Sequence, residues 1–405
     1  MALSTALSGI NAAQADLNVI ANNISNANTT GFKGSRAQFA DVFAVTGSNL
    51  NSTATGSGTR LQNVAQQFAQ GDVATTNNSL DMAISGNGFF AINDGTGVTY
   101  TRAGDFQKDP NNNIVTPSGA FLQIYPSTGA GGFDTSTLSN LQLTAAQSNA
   151  TPTSLVTMTS NLPANATVPV NPFSTADATS YNAATPVTVY DSQGGSHQGT
   201  VYYVKTATNS WNANLYVAGT SAGTRALTFD VNGNLTTPAG GSLPFNPVNL
   251  GNGSAPLSLT VNVSNTTQFG TAYSPGTITQ NGYAAGTFSS IDIDSKGVVT
   301  ANYSNNQSAQ IGQIALANFA NLQGLRQLGK SSWAASGDSG VAVMGTAATG
   351  QFGSVQSGAL EGSNTSDTTS QLVNMIQAQR DYQANAQVLG TTSTLANALF
   401  QAVSR

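Results

Sequence analysis

The stretch Asn18–Phe39, "NVIANNISNANTTGFKGSRAQF", changes character halfway. Up to Ile24 it continues an amphipathic helix. After Ile24 it turns to Asn, Thr, Gly and Ser with almost nothing to bury. Backwards from this break, Leu3, Leu7, Ile10, Leu17 and Ile24 fall on alternating four- and three-residue steps, with Gln14 and Ala21 filling the seam. That spacing predicts a helix with a narrow coiled-coil stripe, about 33 Å long at 1.5 Å per residue. Such a helix is marginal alone, because nucleation is costly and nothing nearby in the sequence covers its stripe.

A second stripe of the same kind occurs only at the far end. Leu372, Met375, Gln379, Tyr382, Ala386, Leu389, Ala396, Phe400 and Val403 repeat the four-three spacing, and Thr368, Thr369 or Ser370 can cap its start. The material between the two helices reads as β-structure. "TPVTVYD", "TVYYVKT", "NANLYVAG", "LSLTVNVS" and "SSIDID" alternate apolar and polar residues. Asp-initiated turns at Asp191, Asp230 and Asp294, each with a glycine three residues on, punctuate them. The fold class expected is therefore multi-domain: mainly β outer domains of sandwich or barrel type, and a coiled-coil core domain formed by the N- and C-terminal helices.

Ser/Thr/Asn/Pro-rich stretches near 148–172 and 266–279 read as crossings between domains, which suggests one β domain inserted into another. The expected division is a terminal core (1–24 and 365–405), a connector (25–70 and 355–364), a first β domain (71–147 and 284–354) and an inserted outer β domain (148–283). The connector "SNANTTGFKGS" is expected to be disordered in a free subunit and ordered in an assembly.

Composition narrows function by exclusion. Among 405 residues there are 12 Lys and Arg, 17 Asp and Glu, and a net charge of −5, with charged residues at 7%. An average domain has about 25%. Glu361 is the single glutamate. There is no basic footprint for nucleic acid and no apolar run of about 18 residues to insert in a membrane. The N-terminal stretch lacks the charged n-region and continuous h-region of a signal peptide. With no cysteine and one histidine, no zinc site can be assembled from the usual ligands.

His197 reads as a solvated turn residue rather than a catalytic one. "DIDSKG" (292–297) opens like a calcium loop but has Tyr303 where the bidentate glutamate belongs. The glycines of "SGNGFF" (85–90) mark a bend into a strand. The aspartates Asp94, Asp109, Asp191, Asp230 and Asp294 sit in turn contexts. No catalytic residue, metal or cofactor is assigned, and the expectation is a protein that is not an enzyme.

Four stretches also carry a family likeness. "NNISNANTTGFKGSRAQFADVF" (22–43), with Asn22, Asn23, Asn26, Gly31 and Phe32, resembles the N-terminal motif of bacterial flagellar axial proteins, the rod and hook group. "LDMAISGNGFFAI" with "YTRAGDFQKDPNNNIVTPSGAFLQIYP", and "GQIALANFANLQGLRQLG", resemble the two halves of that family's shared β domain. "GALEGSNTSDTTSQLVNMIQAQRDYQANAQVL" resembles its C-terminal helix and lead-in. The central insert "TPVTVYDSQGGSHQGTVYYVKTATNSW" is similar to the outer domain of the hook members; distal rod members have little there. Departures include Asp109-Pro-Asn-Asn-Asn where Asp-x-x-Gly is usual, Ile124 where glycine is common, and "SNTSDTT" in place of Ser-Asn-Val-Asp.

The resemblance implies a structural subunit that leaves the cell by type III export without a cleaved signal peptide. It implies head-to-tail polymerisation into a curved extracellular tube, a universal joint passing torque from rod to filament. Partners implied are further copies of the chain, the distal rod protein, the hook cap protein, the hook–filament junction protein and the export gate. Leu3, Leu7, Ile10, Leu17, Ile24, Leu372, Met375, Tyr382, Leu389 and Phe400 would pack the helices within and between subunits. Phe39 and Phe43 would form an export-gate recognition element. A secreted polysaccharide-binding protein or lyase would share the composition but has no reason to carry the matched helical ends.

Overall fold

The computed structural model describes residues 2–42, 56–129, 131–143 and 148–403. The chain forms two compact units. One comprises 1–144, 291–301 and 309–405, the other 145–290 and 302–308.

The first unit contains both long helices, α1 (Ala2–Ser25) and α2 (Thr368–Val403). Helix α1 ends where the sequence turns to Asn and Ser: the Ser25 hydroxyl and the Asn26 amide both donate to the Asn22 carbonyl at 2.9 Å. Such side chains offer the backbone an alternative to continuing the helix. Helix α2 starts on Asp367, whose carboxylate accepts from the Ser370 N–H (3.2 Å) and hydroxyl (2.5 Å). The cap is thus Asp367, one residue before the Ser/Thr run expected to supply it, because a carboxylate offers two acceptors where a hydroxyl offers one donor and weaker acceptance.

The β part of this unit is built on strands buried on both faces. Phe89–Asn93 alternates between two apolar clusters. Phe90 and Ile92 join Met82, Ile84, Leu122, Ile314 and Leu316. Phe89 and Ala91 join Tyr100, Phe319 and Trp333. Phe89 sits edge-on to Phe68, Phe319 and Trp333, with centroids 5.6–6.1 Å apart, a favoured arrangement of ring quadrupoles. The bend before this strand falls on Gly86 (φ 108°) and Gly88 (φ 126°), conformations open to glycine.

The second unit is a two-layer β structure around one core. An antiparallel meander runs through Ala183–Tyr190, Ser196–Ala207, Ser210–Val217, Thr220–Phe229 and Leu235–Thr237. The other layer centres on Leu155–Pro163, which pairs in parallel with Thr260–Asn262 and Thr267–Phe269 and antiparallel with Ser274–Gln280. Val156, Met158 and Leu162 from this strand meet Val201, Tyr203, Trp211 and Leu215 from the meander. The stretches 148–172 and 266–279, read from sequence as crossings, therefore contribute strands to a sheet. Their Thr and Ser residues mask a clean two-residue burial alternation from Val156 to Pro163. Phe173, in the segment after this strand, packs on the outward rings of Tyr202 and Tyr216 at 5.5 and 5.9 Å.

One local device recurs. At Asp109, Asp191, Asp230 and Asp294 the carboxylate accepts the N–H groups two and four residues on, at 2.7–2.9 Å. The residue three on takes positive φ: Asn112 at 63°, Gly194 at 83°, Gly233 at 81° and Gly297 at 75°. This is a type I turn followed by a left-handed residue, a common tight-hairpin geometry. The departure at Asp109-Pro-Asn-Asn-Asn is thereby explained: Asn112 occupies the glycine position, and asparagine tolerates that region. The bonds from Asn113 and Asn111 hold the Asp109 carboxyl below its ordinary pKa.

His197 departs from the sequence expectation. Its Nε2 lies 2.8 Å from the Oδ2 of Asp191, which is almost wholly buried and also accepts from Asn252 at 2.7 Å. Burial works to raise the Asp191 pKa. Bonds from His197, Asn252, Gly195 and Gln193 outweigh it and bring the value down to about 2. The histidine is a half-buried turn brace because the hairpin folds it back onto the aspartate six residues earlier.

Gly297→Ala should cost the first unit about 1–2 kcal/mol, from the left-handed backbone a Cβ disfavours, since that Cβ would also sit 3.3 Å from Ile314 Cβ. Asn112→Gly should be neutral or slightly stabilising. Urea unfolding of the two variants checks the ordering; equal effects would contradict it.

Candidate assembly interface

Helices α1 and α2 pack antiparallel within the first unit, but not on the residues the stripe singled out. The apolar side chains buried on α1 are Ala6, Ala13 and Ile20, one heptad apart, and on α2 Ala378, with Asn23 the buried polar residue of α1. Gly9 lies against Asn385, whose side chain a Cβ would overlap. Of the expected seam, Ile10, Leu17, Ile24, Met375 and Leu389 are half-buried at its flanks. Leu3, Leu7, Leu372, Tyr382 and Phe400 are exposed. The stripe was drawn through the largest apolar residues, whereas most of the buried apolar positions, Ala6, Ala13 and Ala378, are alanines that let the axes approach closely, with Ile20 the large exception.

Several large apolar residues consequently remain uncovered in the single subunit: Val373, Ile376, Val388, Leu395 (71% exposed), Leu399 (68%) and Phe400 (75%), besides Leu3 and Leu7. From Ser393 to Ala402 every residue of α2 is exposed. Contiguous apolar surface of this kind marks an interaction site.

The seam also carries like charge. Burial, and to a lesser degree Asp381 across the seam, raise the pKa of Asp16 above its ordinary 3.8. Asp16 lines a cleft of about 430 Å³ with Ile20, Asn23, Arg36, Phe39 and Gln377. Phe39 lies on the ribbon Ser35–Asp41/Thr59–Gln66, opposite Leu61, and is partly exposed. Phe43 lies outside the described residues.

The connector is the largest correction. "SNANTTGFKGS" is folded within the subunit, with Ala27, Gly31, Phe32, Lys33 and Gly34 buried. Asn23 holds Ser35 at both ends, donating to its carbonyl (2.8 Å) and accepting its N–H (2.9 Å). The Asn23 carbonyl accepts from the Thr365 hydroxyl at 3.0 Å. Gly31 (φ 63°) permits a close approach, since a Cβ there would be 2.4 Å from Ala103 N. Asn22 and Asn26 bond to each other at the helix end. These backbone and amide bonds order a segment that has little apolar surface, which apolar patterning cannot detect.

Sequence reasoning gave no role to the residues at the centre of this joint. Lys33 and Glu361 are both fully buried and lie 2.5 Å apart. Lys33 Nζ also donates to the Ala69 carbonyl at 2.8 Å, and Gly71 N–H donates to Glu361 Oε1 at 3.0 Å. Glu361 Oε2 accepts no hydrogen bond and faces Arg102 Nη1 at 3.3 Å. Arg102 donates to the carbonyls of Ile84 (3.1 Å) and Gly86 (2.6 Å). Burial pushes the Lys33 ammonium down; Glu361 opposes this and Arg102 adds to it. Burial likewise lowers Arg102, against Glu361. Asn364 completes the joint by accepting the Gly34 N–H at 2.7 Å and donating to the Gln67 carbonyl at 2.5 Å. The available signals were the uniqueness of Glu361 and a lone lysine in an uncharged stretch.

Among the described residues no group of His, Cys, Asp or Glu could hold a metal ion, and no helix is long and apolar enough to cross a membrane. Paired terminal helices with uncovered apolar faces and a β body in the same unit make up a structural subunit, which the family models put in the flagellar axial class. Family models agree along the chain. The flagella basal body rod protein model matches 3–33 and the flagellar hook protein FlgE/F/G D1 domain 83–169. The flagellar basal body protein FlaE D2 domain matches 161–283 and the flagellar basal body rod FlgEFG protein C-terminal model 356–402.

The chain is 41% identical to the flagellar hook protein FlgE of Escherichia coli strain K12, over 98% of this chain and 99% of that one. It is 34% identical to that of Rhizobium meliloti, over 98% and 97%. The crystal structure of Helicobacter pylori flagellar hook protein FlgE2 shares the fold, with a TM-score of 0.51 and 14% identity over 71% of this chain and 100% of that one. The chain belongs to the flagellar hook protein FlgE family, whose members are structural components of the hook.

Ala378→Leu should weaken the helix pair by about 1–3 kcal/mol through overpacking, seen as helical ellipticity lost before the β signal on heating. Unchanged helix melting would show that the seam is not where Ala378 is buried.

Proposed function

We propose that the subunit polymerises head-to-tail through the apolar faces left uncovered on α1 and α2, into an open helical tube that works as a flexible joint between rod and filament. The observation that carries this reading is that Leu3, Leu7, Leu395, Leu399 and Phe400 are left exposed on the paired helices, whose buried apolar positions are alanines and Ile20. Heterologous contacts of one surface with another propagate as a filament rather than closing. The half-buried flanks Ile10, Leu17, Ile24, Met375 and Leu389 complete the packing once a neighbouring copy covers them, with Leu372 and Tyr382 beside them. Polar β surfaces suit contacts that slide as the tube bends, because they forfeit little when they shift.

The other partners proposed, on the family likeness, are the distal rod protein below, the hook cap protein during growth, the hook–filament junction protein above, and the export gate before folding. Export places the assembled protein outside the cell. The chain's role is structural, without a reaction to catalyse.

Leu399→Ser with Phe400→Ser should leave the subunit's stability within about 0.5 kcal/mol, as exposed positions do, and abolish tube formation at high concentration. Negative-stain images read the outcome; normal tubes would remove the helix faces from the interface. For export, we propose that Phe39 and Phe43 are read on the unfolded chain, since the folded chain seats Phe39 beside the helix cleft. Phe39→Ser should then lower secretion several-fold in a culture-supernatant assay, and unchanged secretion would leave Phe39 a packing residue alone.

A further inference from the structure

We propose that Glu361 is an electrostatic key for folding order: the N-terminal segment 26–35 seats on the β body only when the C-terminal lead-in delivers this carboxylate between Lys33 and Arg102. Lys33 and Glu361 are 328 positions apart in sequence. Without Glu361, seating the segment would bring two desolvated cations to one site. Arg102 would still be satisfied by the Ile84 and Gly86 carbonyls. Lys33 would keep only the Ala69 carbonyl as a described partner. Lys33 is therefore the group that cannot be buried early, because an uncompensated buried charge is strongly unfavourable.

The backbone agrees with the side chains. Gly31 N–H donates to the Glu361 carbonyl at 2.8 Å, and Gly34 N–H to the Asn364 side chain at 2.7 Å. Phe32 returns a bond, its carbonyl accepting from Asn364 N–H at 3.3 Å. Gly31, Phe32, Lys33 and Gly34 thus each take a partner from residues 361–364, which a chain emerging from its N-terminus presents late, beside the bonds the segment makes to Gln67, Ala69 and Ser331. Until they arrive, the segment is held to the body only by polar bonds such as those to Gln67, Ala69 and Ser331, with the Lys33 charge uncompensated. A buried ion pair contributes little net stability, but it penalises an arrangement that lacks one member. The device acts within one chain, whatever that chain assembles into.

Amide hydrogen exchange on the full-length monomer tests this. Glu361→Gln keeps the shape and one acceptor oxygen for Lys33 and Gly71, and removes the charge. Exchange at Gly31, Gly34 and Ser35 should accelerate by about a hundredfold, with Phe89–Asn93 unchanged. Adding Lys33→Met removes the stranded cation and should return protection to within about tenfold of the native chain. Native protection in Glu361→Gln overturns the proposal, as does a double variant that exchanges as fast as the single one. Loss of protection at Phe89–Asn93 in Glu361→Gln also overturns it, because the residue would then hold up the β body rather than gate the segment.

Discussion

A carboxylate buried between two cations is where the ends of this chain meet. Lys33 follows α1, Glu361 precedes α2, and Arg102 belongs to the β body between them. Removing Glu361 leaves two cations without a counter-charge in a place water does not reach, so the segments that carry them depend on its arrival. The surrounding amide bonds of Asn23, Asn364 and Thr365 fix the same segments without large apolar surface. This matters in a chain with so few charges. Its specificity at the joint comes from directional polar groups, and its apolar side chains are left for the cores and for the helix faces.

The helix pair shows a division of labour. Alanines and Ile20 are buried inside the subunit, and most of the large apolar residues are left half-buried or exposed. A seam of leucines would have covered its own stripe and left little to offer a neighbour. The like-charged Asp16 and Asp381 across the seam further limit how tightly the pair closes. The fold is incomplete at one place: the terminal helices keep large apolar residues that the subunit itself does not cover.

Much of the architecture was legible in the residues. Helical stripes at both ends, alternating strands and Asp-initiated turns reflect local periodicity and local hydrogen bonding, and the structure contains each of them. Asn112 shows how local chemistry absorbs a departure, taking the left-handed position that glycine holds at Gly194, Gly233 and Gly297. The strand Leu155–Pro163 was less legible, since half its residues are Thr, Ser, Asn and Pro. Its parallel partners lie about a hundred residues away. The connector was misread for a related reason: its order rests on bonds to groups that composition does not show nearby.

The sequence by itself determined the helical ends, the β middle, the turn positions and the family, because these depend on spacing and on motifs read in order. Tertiary structure alone decided which helix face is inner, which aspartate is buried, and that Lys33, Arg102 and Glu361 share one site. Those are matters of distance between residues remote in sequence. A heptad names two candidate faces without choosing between large and small residues, and an ion pair across 328 positions leaves no local signature.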